Sequence, residues 1–194
     1  MTAVYIKENN ELNYFLFAMN KNIENNEECY FSDIQTIKSD AFKNVKNLER
    51  IYFNEKLQKI EKNAFKDNIS LEVFSCCNIE KFKESNNENL ELTDIIVDIT
   101  ADEQNKNFTV EAFCFSGCEN LTTVVFPKCS KLTIEKFAFE NCSSLRTIVV
   151  LAEEISFTDN PFEDCPSDLV FICYKDSIVE RFARENGYGI VYVK

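Results

Sequence analysis

The residues with chemistry of their own are nine cysteines, Cys29, Cys76, Cys77, Cys114, Cys118, Cys129, Cys142, Cys165 and Cys173, and a surplus of carboxylates. The 194-residue chain has no histidine, so the usual general base and proton shuttle are missing, and no thiol or hydroxyl has an imidazole to activate it. A zinc site would be all-thiolate or use carboxylates, and Cys76-Cys77 and Cys114-x-x-x-Cys118 lack the paired C-x₂-C spacing of such sites. Three glycines, Gly117, Gly187 and Gly189, cannot write a P-loop or a GxGxxG fingerprint. Paired acids such as Glu27-Glu28 and Glu153-Glu154 read as solvated faces of an acidic chain. Asp98, Asp102 and Glu103 lack the spacing and turn glycine of a calcium loop. No catalytic, cofactor-binding or metal-ligating residue is assigned, and the chain reads as a non-enzyme; an enzyme of thiol or carboxylate chemistry is the remote alternative.

The balance of 33 acidic against 21 basic residues gives a net charge of -12, which repels phosphate backbones and anionic lipid headgroups. Nucleic acid and membrane insertion are therefore excluded as expected partners, and no small-molecule substrate is indicated. An apolar fraction of 45% with 28% charged residues is that of an ordinary globular chain. The opening MTAVYIKENN has neither the basic start nor the apolar run of a signal peptide, and the odd cysteine count fits a reducing compartment. As written the chain reads as cytoplasmic, or as cell-surface if a leader has been removed.

The elements that place these residues come from an internal repeat. Ile34-x-x-Ile37-x-x-x-Ala41-Phe42-x-x-Val45-x-x-Leu48-x-x-Ile51-x-Phe53 returns 23 residues later as Leu57, Ile60, Ala64-Phe65, Asn68, Leu71, Phe74 and Cys76. It returns again around Cys114-Phe115, Ala138-Phe139 and Pro161-Phe162. The step of 50 from Ala64 to Cys114 reads as two turns, the hidden one keeping Leu92, Ile95 and Val97 between swollen loops. The L-x-x-I-x-F end alternates with period 2 and predicts a strand, while Ala-Phe-x-x-Cys suits a helical or 3₁₀ turn. One strand and one tight turn per copy, stacked, predict an α/β solenoid of about six 23-residue turns.

This frame resembles the BspA-type leucine-rich repeat, over roughly residues 34–194. The resemblance implies a binding scaffold rather than a reaction. The predicted domains are an N-terminal cap over 1–33, a solenoid over 34–174 with a degenerate turn at about 78–106, and a C-terminal cap over 175–194, all in one folding unit. In the first cap, Ala3 to Lys7 reads as a strand; Leu12, Phe15, Leu16, Met19 and Ile23 have helical spacing after an Asn10 cap. The second cap reads as a strand to Tyr174, a helix from Asp176 as N-cap to Glu185, and a last strand from Gly189.

Most cysteines fall in repeat-core slots, where a thiol acts as a small apolar group. Residues that alternate with the buried ones should line a concave sheet in two columns. The first is Arg50, Val73, Asp94, Thr123, Thr147, Val170; the second is Tyr52, Ser75, Ile96, Val125, Val149, Ile172. The apolar second column reads as an exposed interaction stripe, with Arg50 and Tyr52 as anchors for a protein partner. The predicted function is a module for protein binding or adhesion; a self-assembling segment of a longer array is the alternative.

Overall fold

Each repeat contributes two strands, not one. The computed structural model describes residues 2–8, 11–18, 28–31, 34–53, 56–76 and 107–193. In chain order these hold β1 (Thr2–Glu8), β2 (Glu11–Ala18), β3 (Glu28–Phe31), β4 (Thr36–Ile37), β5 (Arg50–Phe53), β6 (Lys59–Ile60), β7 (Val73–Ser75) and β8 (Asn107–Val110). There follow β9 (Thr123–Val125), β10 (Lys131–Ile134), β11 (Thr147–Val149), β12 (Glu154–Phe157), β13 (Val170–Cys173), helix α1 (Ile178–Glu185) and β14 (Gly189–Tyr192). One sheet runs β1-β2-β4-β6-β8-β10-β12 and the other β14-β13-β11-β9-β7-β5-β3. Apart from the antiparallel β1-β2 hairpin, neighbours are parallel and in register. The short I-x-x-I segment, unassigned in the sequence reading, makes the first sheet: two residues such as Thr36–Ile37 show too little alternation to be recognised alone.

Five Ala-Phe turns stack, where the sequence suggested six. The 50-residue step is a single turn, because β7 pairs directly with β9 and β6 with β8. Phe65 lies face to face with Phe115 at 5.0 Å. Leu92, Ile95 and Val97, read from the sequence as a hidden turn, lie outside the described residues.

The Ala-Phe segment is not a helical turn. Backbone φ changes sign along it: Asp40, Asn63, Phe113 and Phe137 take φ of 59, 58, 60 and 57°, and Asn44, Asp67, Gly117, Asn141 and Asp164 take 56, 60, 75, 58 and 55°. Alternation aims every second N–H at the next turn: Phe42 N–H donates to Ala64 O (2.7 Å), Phe65 to Cys114 O (2.8 Å), Phe115 to Ala138 O (2.7 Å) and Phe139 to Pro161 O (2.9 Å). The N–H groups between them close tight local turns, such as Ala64 to Glu61 O (3.2 Å). Asn and Asp tolerate this left-handed region, which explains how the fold manages with so little glycine. At Gly117, the one glycine of this slot, a Cβ would stand 2.7 Å from Asp67 Oδ1, so a larger residue there requires the Asp67 side chain to turn away.

Inside, Phe42, Phe65, Phe115, Phe139 and Phe162 stack with centroid spacings of 4.8, 5.0, 5.0 and 5.5 Å. The first four are fully buried. At the far end α1 packs on β12, β13 and β14, with Phe182 against Phe157 and Phe171. The caps differ from expectation in two places. Residues 11–18 form strand β2, because pairing with both β1 and β4 offers two backbone ladders that an isolated short helix lacks; Asn10, Met19 and Ile23 lie outside the described residues. The N-cap of α1 is Ser177, whose Oγ accepts from Glu180 N at 3.1 Å, while Asp176, at φ 62°, sits one residue outside the helix.

Two predictions follow from this packing. Phe115→Ala should lose about 3–5 kcal/mol of unfolding free energy in urea titration, the range for emptying a large buried aromatic site. At Phe113, which stacks on Phe137 at 5.4 Å beneath Lys62 and Lys66, thermal melts should order the variants. Phe113→Asn should stay near wild type, because relief of left-handed strain offsets the lost stacking; Phe113→Val should lose about 1–2 kcal/mol, because a β-branched residue adds strain and keeps no ring.

Candidate interaction surface

The strand columns of the second sheet are the place to look for a binding surface, and the structure separates the two. In the first column, Arg50 pairs with Val73, Val73 with Thr123, Thr123 with Thr147 and Thr147 with Val170. All five are half-exposed. Arg50 Nη2 reaches Glu72 Oε2 at 3.3 Å, and Arg146 Nε reaches Asp168 Oδ2 at 3.7 Å beside the column. Both pairs are well exposed and stabilise little. They do fix charge along a row otherwise made of hydroxyls and valine methyls. Thr122 Oγ1 donates to Glu72 O at 3.1 Å, tying the row to the turn below it.

The second column is buried, which overturns its reading as an accessible apolar stripe. Tyr52 is 3% exposed, Val125 2%, Val149 0% and Ile172 4%, and Ser75 is fully buried. Val125, Val149 and Ile172 form a second apolar cluster with Leu151, flanked by Tyr174 and Val193. Alternation correctly set the direction of these side chains, away from the main core. Direction does not decide exposure: β-branched columns at strand spacing cover one another, and the residues two positions on add a further apolar layer. Tyr52 is accordingly no surface anchor. Asp94 and Ile96, assigned to the two columns, lie outside the described residues, and the columns close without them because Val73 and Ser75 pair directly with Thr123 and Val125. The sequence reading missed Glu72, Thr122, Arg146 and Asp168 as companions of the first column; the repeated Thr122-Thr123 pair was the available signal.

Of the eight described thiols, seven are buried and Cys165 is partly buried. Cys118, Cys142 and Cys165 follow Asn68 in one slot, and each S–H donates to the Phe carbonyl of the turn below: Phe65 O at 3.2 Å, Phe115 O at 3.2 Å and Phe139 O at 3.1 Å. Asn68 does the same with its amide, to Phe42 O and Phe65 O. Cys114 Sγ reaches Glu61 O at 3.1 Å. Burial pushes Cys129 and Cys165 up to about 12, and raises Cys29, Cys114, Cys118, Cys142 and Cys173 as well. A thiol held protonated is a poor nucleophile and a poor metal ligand. Among the described residues no group of three acidic or thiol side chains is placed to hold a metal, and no helix is long and apolar enough to cross a membrane.

Along the first sheet, Glu61, Glu111 and Glu135 form a column, each carboxylate accepting an N–H from the turn below: Ser39 at 3.1 Å, Lys62 at 2.9 Å and Ala112 at 3.0 Å. Burial alone would raise the Glu61 carboxyl, but bonds from Lys38 and Ser39 outweigh it and hold the group below its ordinary value.

The family described as BspA type leucine rich repeat region matches residues 4–93 and 67–181, in six copies. The chain belongs to that family. No curated protein matches it. Among solved structures, this BspA-type chain is similar to a leucine rich cell surface protein from Faecalibacterium prausnitzii, at 18% identity and a TM-score of 0.60, with 93% of this chain and 40% of that one covered. It is also similar to the pneumococcal vaccine antigen PcpA, at 17% identity and a TM-score of 0.51, with 98% and 48% covered. The chain thus spans less than half the length of either, and at these identities the likeness is one of fold.

Buried titrating groups give the stack a pH window. Glu61, with its folded value lowered, contributes stability that is present above the unfolded value of about 4.3 and is lost as pH falls through the folded value. The thiols, with folded values raised, contribute stability that is present below the unfolded value of about 8.5 and is lost as pH rises toward about 12. The thermal midpoint should therefore be flat near neutrality and fall on both sides. Iodoacetamide at pH 8 should leave Cys118, Cys142 and Cys165 unlabelled by mass spectrometry until urea is added, and the unreduced protein should show no 2 Da deficit on any pair of them.

Proposed function

We propose that this chain is a non-catalytic binding module that engages a protein partner through the first column of the second sheet, Arg50, Val73, Thr123, Thr147 and Val170, with Glu72 and Arg146 beside it. One observation carries the reading: these residues form an in-register, half-exposed row of mixed charge, hydroxyl and methyl groups, fixed by two backbone ladders and a close-packed aromatic column. A row held this rigidly loses little conformational entropy on binding, which favours affinity. Its polar make-up suits a separable protein–protein contact rather than a permanent apolar one. The raised thiols and the missing histidine support a non-enzymatic role. Location follows the same reading: a neighbour of this fold is a cell surface protein, which supports display at the cell surface over the cytoplasmic alternative.

A photo-crosslinking residue placed at Thr123 or at Thr147, with a control at exposed Lys136 on the Ala-Phe corner, tests this. In cell lysate and in surface extract, the two column positions should trap one common protein that the control does not. With the crosslinking residue moved to Val170, the next position of the column, the same protein should be trapped, and adding Thr123→Arg with Thr147→Arg should abolish that product without moving the thermal midpoint. Equal trapping from Lys136, or capture that survives the double substitution, sinks the assignment.

A further inference from the structure

Among the described residues, strand β14 ends its sheet with a backbone edge that carries none of the usual guards. It pairs in parallel with β13, Gly189 N–H donating to Leu169 O at 2.9 Å and Val193 N–H to Cys173 O at 3.1 Å. In a parallel ladder alternate residues face the neighbour, so the backbone groups of Ile190 and Tyr192 point away from β13. Natural edge strands are commonly protected by Lys, Pro, a bulge or a covering element. Gly189-Ile190-Val191-Tyr192 has no charge, no proline and no break in register. Helix α1 packs on the inner side, where Tyr192 Oη donates to Glu180 Oε1 at 2.9 Å and accepts from Arg184 at 2.9 Å.

On the outer side, Val191 continues the buried column. It is in register with Ile172, and through it with Val149 and Val125. Those three are 4%, 0% and 2% exposed, whereas Val191 is 39% exposed: among these four residues the apolar column surfaces at the edge strand. Charge singles out the same end. Residues 175–194 hold four basic side chains (Lys175, Arg181, Arg184, Lys194) and three acidic ones (Asp176, Glu180, Glu185), a balance of 4 − 3 = +1, in a chain that carries -12 overall. Two copies therefore repel one another less across this nearly balanced end than over the acidic rest of the molecule.

We propose that β14 is a self-association edge that pairs with β14 of a second copy, antiparallel about a two-fold axis at Val191. Ile190 of each copy exchanges both backbone bonds with Tyr192 of the other. The two Val191 residues form the central non-hydrogen-bonded pair, with Cα atoms about 4.5 Å apart and side chains in contact. Closure by a two-fold axis limits the assembly to a dimer. The ladder is short, so the dimer is weak and depends on concentration.

Sedimentation of the full chain from about 1 μM to about 1 mM spans the range in which such association is decided. The mean mass should climb from monomer toward dimer, and further with added salt, which screens the repulsion between acidic bodies. Val191→Lys should hold the chain monomeric throughout, while Ile69→Lys, at a side chain 59% exposed elsewhere, should leave the climb intact. In the wild type, hydrogen exchange at the Ile190 and Tyr192 amides should slow as concentration rises, a readout that needs no variant. A wild type monomeric at every concentration overturns the proposal, as does growth beyond the dimer, association that survives Val191→Lys, or concentration-dependent protection that bypasses Ile190 and Tyr192.

Discussion

Everything in this molecule rests on the alternation of φ in the Ala-Phe turn. A right-handed turn would satisfy its own backbone and leave the next turn to pack on side chains alone. Placing Asp40, Asn44 and their equivalents in the left-handed region turns every second N–H outward along the stack, so the corner bonds to its neighbour much as the strands do. Three ladders, two sheets and one corner, then hold successive turns at strand spacing. Phe42, Phe65, Phe115 and Phe139 stack face to face because that spacing leaves no other arrangement for a ring in every turn.

The same constraint governs the polar interior. Each corner Phe carbonyl already accepts the backbone N–H three residues on, as Phe65 O does from Asn68 and Phe115 O from Cys118, and its second lone pair faces the apolar core. Cys118, Cys142 and Cys165 supply S–H donors there, and Asn68 supplies an amide. The cysteine richness of the chain is thus a hydrogen-bonding device of the fold. Likewise the Glu61, Glu111 and Glu135 carboxylates take up N–H groups where sheet gives way to corner. Surface chemistry is what remains: half-exposed strand positions on one sheet and the free edge at β14.

The repeat and its core were legible in the sequence because the Ala-Phe slot recurs with large apolar residues that have no alternative to burial. The α1 cap was legible too, although Ser177-x-x-Glu180, a capping-box pattern, was passed over in favour of Asp176. The second strand row was not legible, since two-residue strands such as Lys59–Ile60 exist only through their neighbours. Nor was the strand character of β2: its apolar spacing fits helix and strand alike, and the pairing with β1 and β4 decides.

By itself the sequence determined the period, the identity of the core side chains, the burial of the thiols and the absence of histidine chemistry, because these follow from residue type and spacing. Tertiary structure decided the rest. Whether a 50-residue step is one turn or two depends on which strands hydrogen-bond, and β7 with β9 is a long-range choice that no local pattern encodes. Whether Val125, Val149 and Ile172 form a surface or a second core depends on what lies beside them in neighbouring turns. Alternation gives each side chain a direction; only the packed stack determines whether water is there to meet it.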